Sequence, residues 1–318
     1  MKQQTLAGLE KYGRTTRRAQ FLAEMDRVVP WAELTAVIEP FYPQAGPEGG
    51  RPPVPLERML RIYFLQQWFN LSDPGVEEAL YDSAAMRGFV GIDLGHEPAP
   101  DETTVCKFRH RLERHGLGKK IFAAVKQYLH ENGFKVTTGT IVDATIISAP
   151  SSTKNKDGQR DPEMHQTAKG NQWYFGMKAH LGVDSKTKLI HTALASAANV
   201  HDRDALPHLL HGNETRVWGD QAYQGQGETI RAKAPRARDF SNRRYRFHGR
   251  VDADIRDRNR TKSRVPAKGE HPIGVIKRVF GFAKVRYRGL AKNPHRLEVT
   301  AALVNLFMVR RRLLRMAG

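Results

Sequence analysis

A chain of 318 residues with 40% hydrophobic content is long enough for a large core and a smaller module. Its 52 Lys and Arg against 33 acids leave a formal charge of +19, which repels itself in a compact molecule unless a polyanion offsets it, so nucleic acid ranks ahead of a membrane surface as partner. No run approaches the roughly 20 apolar residues that span a bilayer, the polar start MKQQTLAGLEKYGRTTRRAQ has no signal-peptide core, and the single Cys106 excludes an intramolecular disulfide or a thiolate zinc cluster.

Residues 1–50 carry mixed charge and end in the Pro/Gly-rich stretch FYPQAGPEGGRPP, which breaks regular elements and marks an arm or linker. From Val54 the spacing is helical. Leu56, Met59, Leu60, Tyr63 and Phe64 share a face, and Val76, Leu80 and Met86 predict a second helix after the turn at Asp73 and Pro74. In PDETTVCKFRHRLERHG, Asp101 is the expected N-cap of a third helix and Gly116 its stop. Lys107, Arg109, His110, Arg111 and Arg114 along that helix suit a recognition face in a DNA major groove, with Val105, Phe108 and Leu112 turned to the core; an ordinary solvated basic face has the same spacing. Cys106 fits a packed thiol in the same pattern. A fourth helix, about Lys119 to His130, completes an all-α domain over 51–133, expected to bind DNA.

After Gly133 the period becomes strand-like, which places a boundary there and a second domain over 134–318. TGTIVDATIIS reads as a β-branched strand, and FGMKAHLGVD with KLIHTALASAAN as a hairpin turning at Asp184 to Thr187. HDRDALPHLL follows as a helix ended or kinked by Pro207, TRVWGDQAY as a strand, QGETIRAKA as a short helix and ARDFSNRRY as a weak strand. Two helices, around 271–283 and 294–315, close the chain. This order predicts an α/β domain with a central mixed sheet.

Asp143 lies between Val142 and Ala144 in an apolar strand, where an ionised carboxylate is costly unless it is paired or holds a cation. Asp220 ends TRVWGD where a strand meets a loop, and ligands in open α/β sheets gather at strand carboxyl ends. Glu270, from a later helix, would complete an oxygen-rich site suited to two Mg²⁺ (or Mn²⁺) ions, which activate a nucleophile and stabilise a leaving oxygen. Each acid also has a plain structural role open to it: Asp143 paired with Lys178 or His180, Asp220 capping its loop, Glu270 in the first turn of a helix. His201 and Asp202 follow a strand toward the same region, with Asp202 a candidate helix cap. No HExxH or paired Cys/His spacing points to zinc.

The string GEHPIGVIKRVFGFAKVRYRGLAKN, with TIVDATII, KGNQWYFGMKAH, AANVHD and VWGDQAY, closely resembles the transposases of the IS5 insertion-sequence family, over about residues 50–312 and in the right order. The resemblance implies an RNase H-like catalytic domain behind a helical N-terminal domain, with the acidic triad carried by Asp143, Asp220 and Glu270. It implies a basic residue seven positions after the glutamate, where Lys277 stands, in reach of a phosphate. Metal-dependent cleavage and joining of double-stranded DNA, a homodimer that pairs two element ends, and a cytoplasmic, nucleoid-associated location follow as expectations. Two positions depart from the family pattern: Pro266 replaces the usual arginine, with Arg264 out of register, and Gly269 replaces a β-branched residue. They leave open a transposase-derived DNA-binding protein without turnover; an RNase H-like nuclease is the other competing reading.

Residues 230–318 hold 25 Lys and Arg against 6 acids, enough for a phosphate-binding face. Arg278, Lys284, Arg286, Arg288 and Lys292 flank the expected active site. Phe280, Phe282 and Tyr287 suit either core packing or stacking on unpaired bases. Arg310 to Arg312, near the end of the last helix, suit either its dipole or DNA.

Overall fold

The structure, a computed structural model, describes residues 14–44, 52–156, 158–247, 250–263 and 270–316. The first helix, α1 (Arg17–Val28), is capped by Thr16, whose hydroxyl accepts from the Ala19 amide, and α2 (Trp31–Ile38) follows directly. Residues 17–28 and 31–38, expected to belong to an arm, are therefore helical. Leu22, Met25, Val28, Leu34 and Ile38 are buried, and Arg310 from the far end of the chain pairs with Glu24 at 3.0 Å. The charges between those apolar residues obscured a helical period; the expected arm's ends, 1–13 and 45–50, lie outside the described residues.

Helix α3 (Leu56–Phe69) stops at Asn70, which adopts the left-handed conformation at φ 51°. The single helix expected over Val76 to Met86 is two, α4 (Asp73–Asp82) and α5 (Ala84–Val90). Ser83 divides them: its backbone is extended and its hydroxyl accepts from the Met86 amide, so one residue ends one helix and caps the next. Helix α6 (Glu102–Arg114) begins at Asp101, whose carboxylate accepts from Thr104 N at 2.6 Å, and ends before Gly116 at φ 59°. Helix α7 (Leu117–Glu131) then leads to the sheet.

Six strands form that sheet: β1 (Gly139–Ser148), β2 (His165–Lys169), β3 (Gln172–Asp184), β4 (Ile190–Ala197), β5 (Arg216–Trp218) and β6 (Arg238–Asp239). β1 runs antiparallel to β3 and parallel to β5, and β5 parallel to β6. β2 and β4 share the outer edge of β3, β2 on its first half and β4 on its second. The β3–β4 turn is held by Asp184, whose Oδ1 accepts from the amides of Lys186 and Thr187. Helices α8 (Asp202–Leu209) and α9 (Gly227–Lys233) connect β4 to β5 and β5 to β6. A ribbon of β7 (Arg246–Phe247) and β8 (Arg250–Val251) follows, then α10 (Ala253–Ser263). The expected helix over 271–283 is a short α11 (Glu270–Gly274) that widens into a π turn over Val275–Val279. It is cut off by Gly281 at φ 68°, after which the chain runs beside β1, Ser148 N donating to Ala283 O and Val285 N to Ser148 O. Helix α12 (Lys292–Met316) ends the described chain.

Alternation along the strands makes two packed faces. Ile141, Ile147, Met177, Leu181 and Val183 join one core with α7, α12 and the N-terminal helices, continuous from Leu22 to Leu313. Val142 and Val217 point the other way, into a second core with Leu206, Leu209 and Ile230 of α8 and α9. Each such side chain buried contributes about 1.5–3 kcal/mol, so a sheet sealed on both faces is a rigid platform. The result is an RNase H-like mixed α/β fold preceded by helices.

Candidate active site

β1 and β5 are parallel and pair Ile141 with Trp218, so two residues further along each strand Asp143 and Asp220 arrive at the same level of one edge. Asp143 is half-buried, and its Oδ1 accepts from Ala144 N at 2.7 Å. Asp220 heads a short 3₁₀ turn over Gln221–Tyr223 and accepts from Ala222 N at 2.9 Å. Gly219 permits that turn: a Cβ there would stand 2.8 Å from Cδ2 of the Tyr223 ring, which packs beneath it.

Both carboxylates line one open cleft of about 980 Å³ between the sheet edge and the α11 segment. Thr145, Lys169, Asn242, His271, Lys277 and Arg278 complete its polar wall. Lys277 is half-buried and anchored on β1, its Nζ donating to Ile146 O at 2.9 Å and Thr145 Oγ1 at 3.2 Å. Partial burial, helped by the nearby charge of Lys169, lowers its pKa. Asp220 stands at the rim, yet withdrawal of its carboxyl from water raises its pKa, and the Asp202 charge adds to this against the Ala222 amide and the charges of Lys169 and His201.

Behind the acids lies a second layer of polar groups. Tyr223 is 1% exposed and its hydroxyl has no hydrogen-bond partner among the described residues; burial and the charges of Asp202, Asp143 and Asp220 hold it protonated. Lys178 and His180, weighed as partners for Asp143, point to the other face of the sheet. There Lys178 pairs with Asp202 at 2.8 Å, and burial lowers the His180 pKa to about 4. Asp202 is not the cap of α8: His201 is, its Nδ1 accepting from Arg203 N, and Asp202 is the first helical residue, its charge felt by Asp220.

Glu270 starts α11, the element whose Ile273, Gly274 and Lys277 line the cleft, but its side chain lies outside the described residues, as do Arg264, Pro266 and Gly269 entirely. Among the described residues no three His, Cys, Asp or Glu side chains converge as a metal site. Asp143 and Asp220 place two carboxylates in this cleft, the kind of oxygen donor that hard divalent cations prefer.

The expected DNA-contacting residues divide. Lys107, His110 and Arg114 are exposed on α6; Arg278, Lys284 and Arg288 are exposed too, and of these three Arg278 lines the cleft. Arg109 is a correction: it is 5% exposed, bound to Asp73 at 2.7 Å and Glu113 at 3.0 Å, and lies 4.3 Å from the Tyr287 ring centroid, so it ties α6 to α4 rather than facing solvent. Arg111 is half-buried and donates to Phe41 O. Arg286 is exposed but engages the backbone carbonyl and side chain of Asn70, and Lys292 is half-buried. Phe280 and Phe282 are buried and belong to the core. Lys169, Asn242 and His271 were not anticipated; for Lys169 the only signal was its place at the start of KGNQWYFGMKAH.

No helix among the described residues is long and apolar enough to cross a membrane. No solved structure matches the chain. Residues 10–111 match the family described as Transposase domain (DUF772), and residues 135–306, which include both cleft aspartates and Lys277, match the family described as Transposase DDE domain. Enzymes of the latter family generally use divalent metal ions, and their substrate is DNA. Because that match alone spans more than half of the chain, the protein belongs to the Transposase DDE domain family and is an insertion-sequence transposase, an enzyme that acts on DNA.

Proposed function

We propose that the cleft beneath α11 is where this transposase, of the IS5 type, cuts and rejoins DNA, with Asp143, Asp220 and Glu270 as its acidic triad. The observation that carries the reading is the arrival of Asp143 and Asp220 at one level on adjacent parallel strands, with Lys277 fastened to the same strand as Asp143. The donor set suits a hard divalent cation: carboxylate oxygens, one of them on an Asp220 whose raised pKa an added positive charge would bring back down. When bound, two Mg²⁺ or Mn²⁺ ions held by the triad would lower the pKa of attacking water and stabilise the leaving oxygen.

The chain's own groups do the positioning. Lys277, its ammonium held by two β1 oxygens, retains a third hydrogen for a non-bridging phosphate oxygen, and the exposed Arg278 adds a second cation on the same wall. Water attacks phosphorus at the element's end, forming one P–O bond as the bond to the 3′ oxygen breaks, and the 3′ oxygen leaves as a hydroxyl. That 3′-OH then attacks a phosphodiester of the target in the same cleft, forming a new P–O bond as the target's own P–O3′ bond breaks and its 3′ oxygen leaves as a hydroxyl, so no covalent enzyme intermediate is needed. A homodimer would hold the two ends. Lys107, Arg111, Lys284, Arg286, Arg288 and Lys292 remain candidate DNA contacts, and Arg109 does not.

The test is cleavage of a labelled duplex carrying the element's own terminal repeats, with Mg²⁺ or Mn²⁺, by the protein and by Asp220→Asn. Metal-dependent nicking at the end that is absent in the variant supports the reading. Binding without cutting by the unaltered protein overturns it in favour of a DNA-binding protein without turnover.

A further inference from the structure

A second cleft of about 760 Å³ opens at the carboxyl end of β6, next to the first. Its wall carries Arg231 of α9, Arg238 of β6, Arg243, and Lys262 of α10, against two acids, Glu228 and Asp239. Asp239 is already engaged, its Oδ1 accepting from Ser241 N at 2.8 Å, and none of the four cations is ion-paired among the described residues. Lining the same cleft, Ser241 is only 4% exposed, and its hydroxyl has no hydrogen-bond partner among the described residues. A buried hydroxyl donor among unpaired cations fits phosphate oxygens, the ligand that uses both.

The two clefts are joined by three consecutive residues. Asn242 lines the cleft that holds Asp220, while Ser241 and Arg243 line the second. This segment is fixed on both sides. Phe240 N and Asn242 N donate to Val217 O and Gly219 O, which keeps it beside the end of β5; Asn259 of α10 accepts from Arg243 N at 3.0 Å and donates to Arg243 O at 2.7 Å. Lys262 Nζ also donates to Ser241 O, which brings α10 over the cleft. The chain from 227 to 262 has 12 Lys and Arg against 5 acids, so the surroundings reinforce the sign of the cleft.

We propose that this second cleft is a phosphate track for the DNA strand that runs on from the catalytic cleft, with Arg231, Arg238 and Arg243 as its cations and Ser241 as the hydroxyl donor. The inference rests on reading the first cleft as the DNA-cutting site, and it adds a binding surface separate from the candidate contacts on α6 and beyond α11. Its role is to hold the DNA beyond the scissile phosphate in line, in the way phosphate contacts set register without reading sequence.

The test is the salt dependence of binding of a labelled duplex by the full chain, followed by fluorescence anisotropy. Removing one phosphate-binding cation flattens the slope of log K against log salt by about 0.9. Arg231→Gln/Arg238→Gln/Arg243→Gln should therefore flatten the slope by about 2–3 and weaken binding at least tenfold at fixed salt. A control at the exposed Lys119, Lys135 and Lys186, changed together to Gln, removes the same charge elsewhere and should leave the slope within about one unit of the original. Equal slopes for the two triple variants overturn the track. If the cleft variant loses its cooperative thermal transition, Arg238→Glu alone, at an exposed position, decides: an unchanged slope overturns the proposal and a flatter one supports it. Asp220→Asn is run alongside, because loss of cutting with intact binding tests the catalytic reading independently of the track.

Discussion

An ionised carboxylate in the middle of a β-branched strand is retained against the cost of its burial, and that conflict makes Asp143 legible in the sequence between Val142 and Ala144. Asp220 is legible for a related reason, since it ends an apolar strand at a loop. Glycine at 219 carries no such signal, because its role lies in an approach to Tyr223 that only the folded turn creates. Gly219→Ala should push the Tyr223 ring or the Asp220 turn aside; we expect at least a tenfold loss of cleavage with metal affinity weakened, read by titrating Mn²⁺ in the cleavage assay. Unchanged activity would remove Gly219 from the positioning of Asp220. Asp143→Asn keeps the shape and removes the charge, so it should abolish cleavage, on the order of a hundredfold or more, while the thermal midpoint holds or rises, because an uncharged amide is cheaper to half-bury. A fall of several degrees would mean that Asp143 serves the fold instead.

Between elements, partners far apart in sequence decide what a side chain does, and this is where sequence reading misplaced residues. Arg109 has the spacing of a solvated helix face, but Asp73, its partner 36 positions earlier, turns it into a tie between α4 and α6. β2 was missed because HQTAK lies on an exposed edge with no apolar alternation. Asn70 is the most consequential of these long-range links. It ends α3 in a left-handed conformation, donates to Gly281 O at 3.0 Å, and accepts from Arg296 at 2.8 Å. Arg296 is 2% exposed, and burial lowers its pKa to about 10, which keeps it charged at neutral pH in a setting with few acceptors. Asn70→Gly preserves the backbone conformation and removes the acceptor; it should cost about 2–4 kcal/mol, seen in urea unfolding. Asn70→Ala adds roughly 1 kcal/mol of left-handed strain to the same loss. Equal effects of the two would show the conformation to be immaterial, and a negligible effect of Gly would show Arg296 to be satisfied without Asn70.

Across the whole molecule the helices and the sheet share a core, so titration at one place is felt in the stability of all of it. Burial holds the pKa of His180 at about 4, His191 at about 3 and His295 at about 4, below the ordinary 6.5. Below pH 6.5 the unfolded chain therefore takes up protons that the fold refuses, and stability is lost as pH falls from 6.5 toward 4. Glu298 on α12 works in the opposite sense. It is 8% exposed near Gly118 and His295, and burial raises its pKa from 4.5 to about 7. Between pH 4.5 and 7 the folded state keeps a proton that the unfolded state releases, so this group's contribution falls as pH rises through that window and stays low above it. Three histidines outweigh one glutamate below pH 6.5, which places maximal stability near pH 6–7. Glu298→Gln removes one opposing group and leaves the other, Asp220, whose pKa is also raised. Its thermal midpoint should exceed that of the unaltered protein by a few degrees at pH 8, corresponding to on the order of 1–3 kcal/mol, with the gap shrinking as pH is lowered toward 5. A gap that stays constant between pH 8 and 5 would mean that the substitution acts through packing against α7 and that the carboxyl does not titrate in the fold as its burial requires.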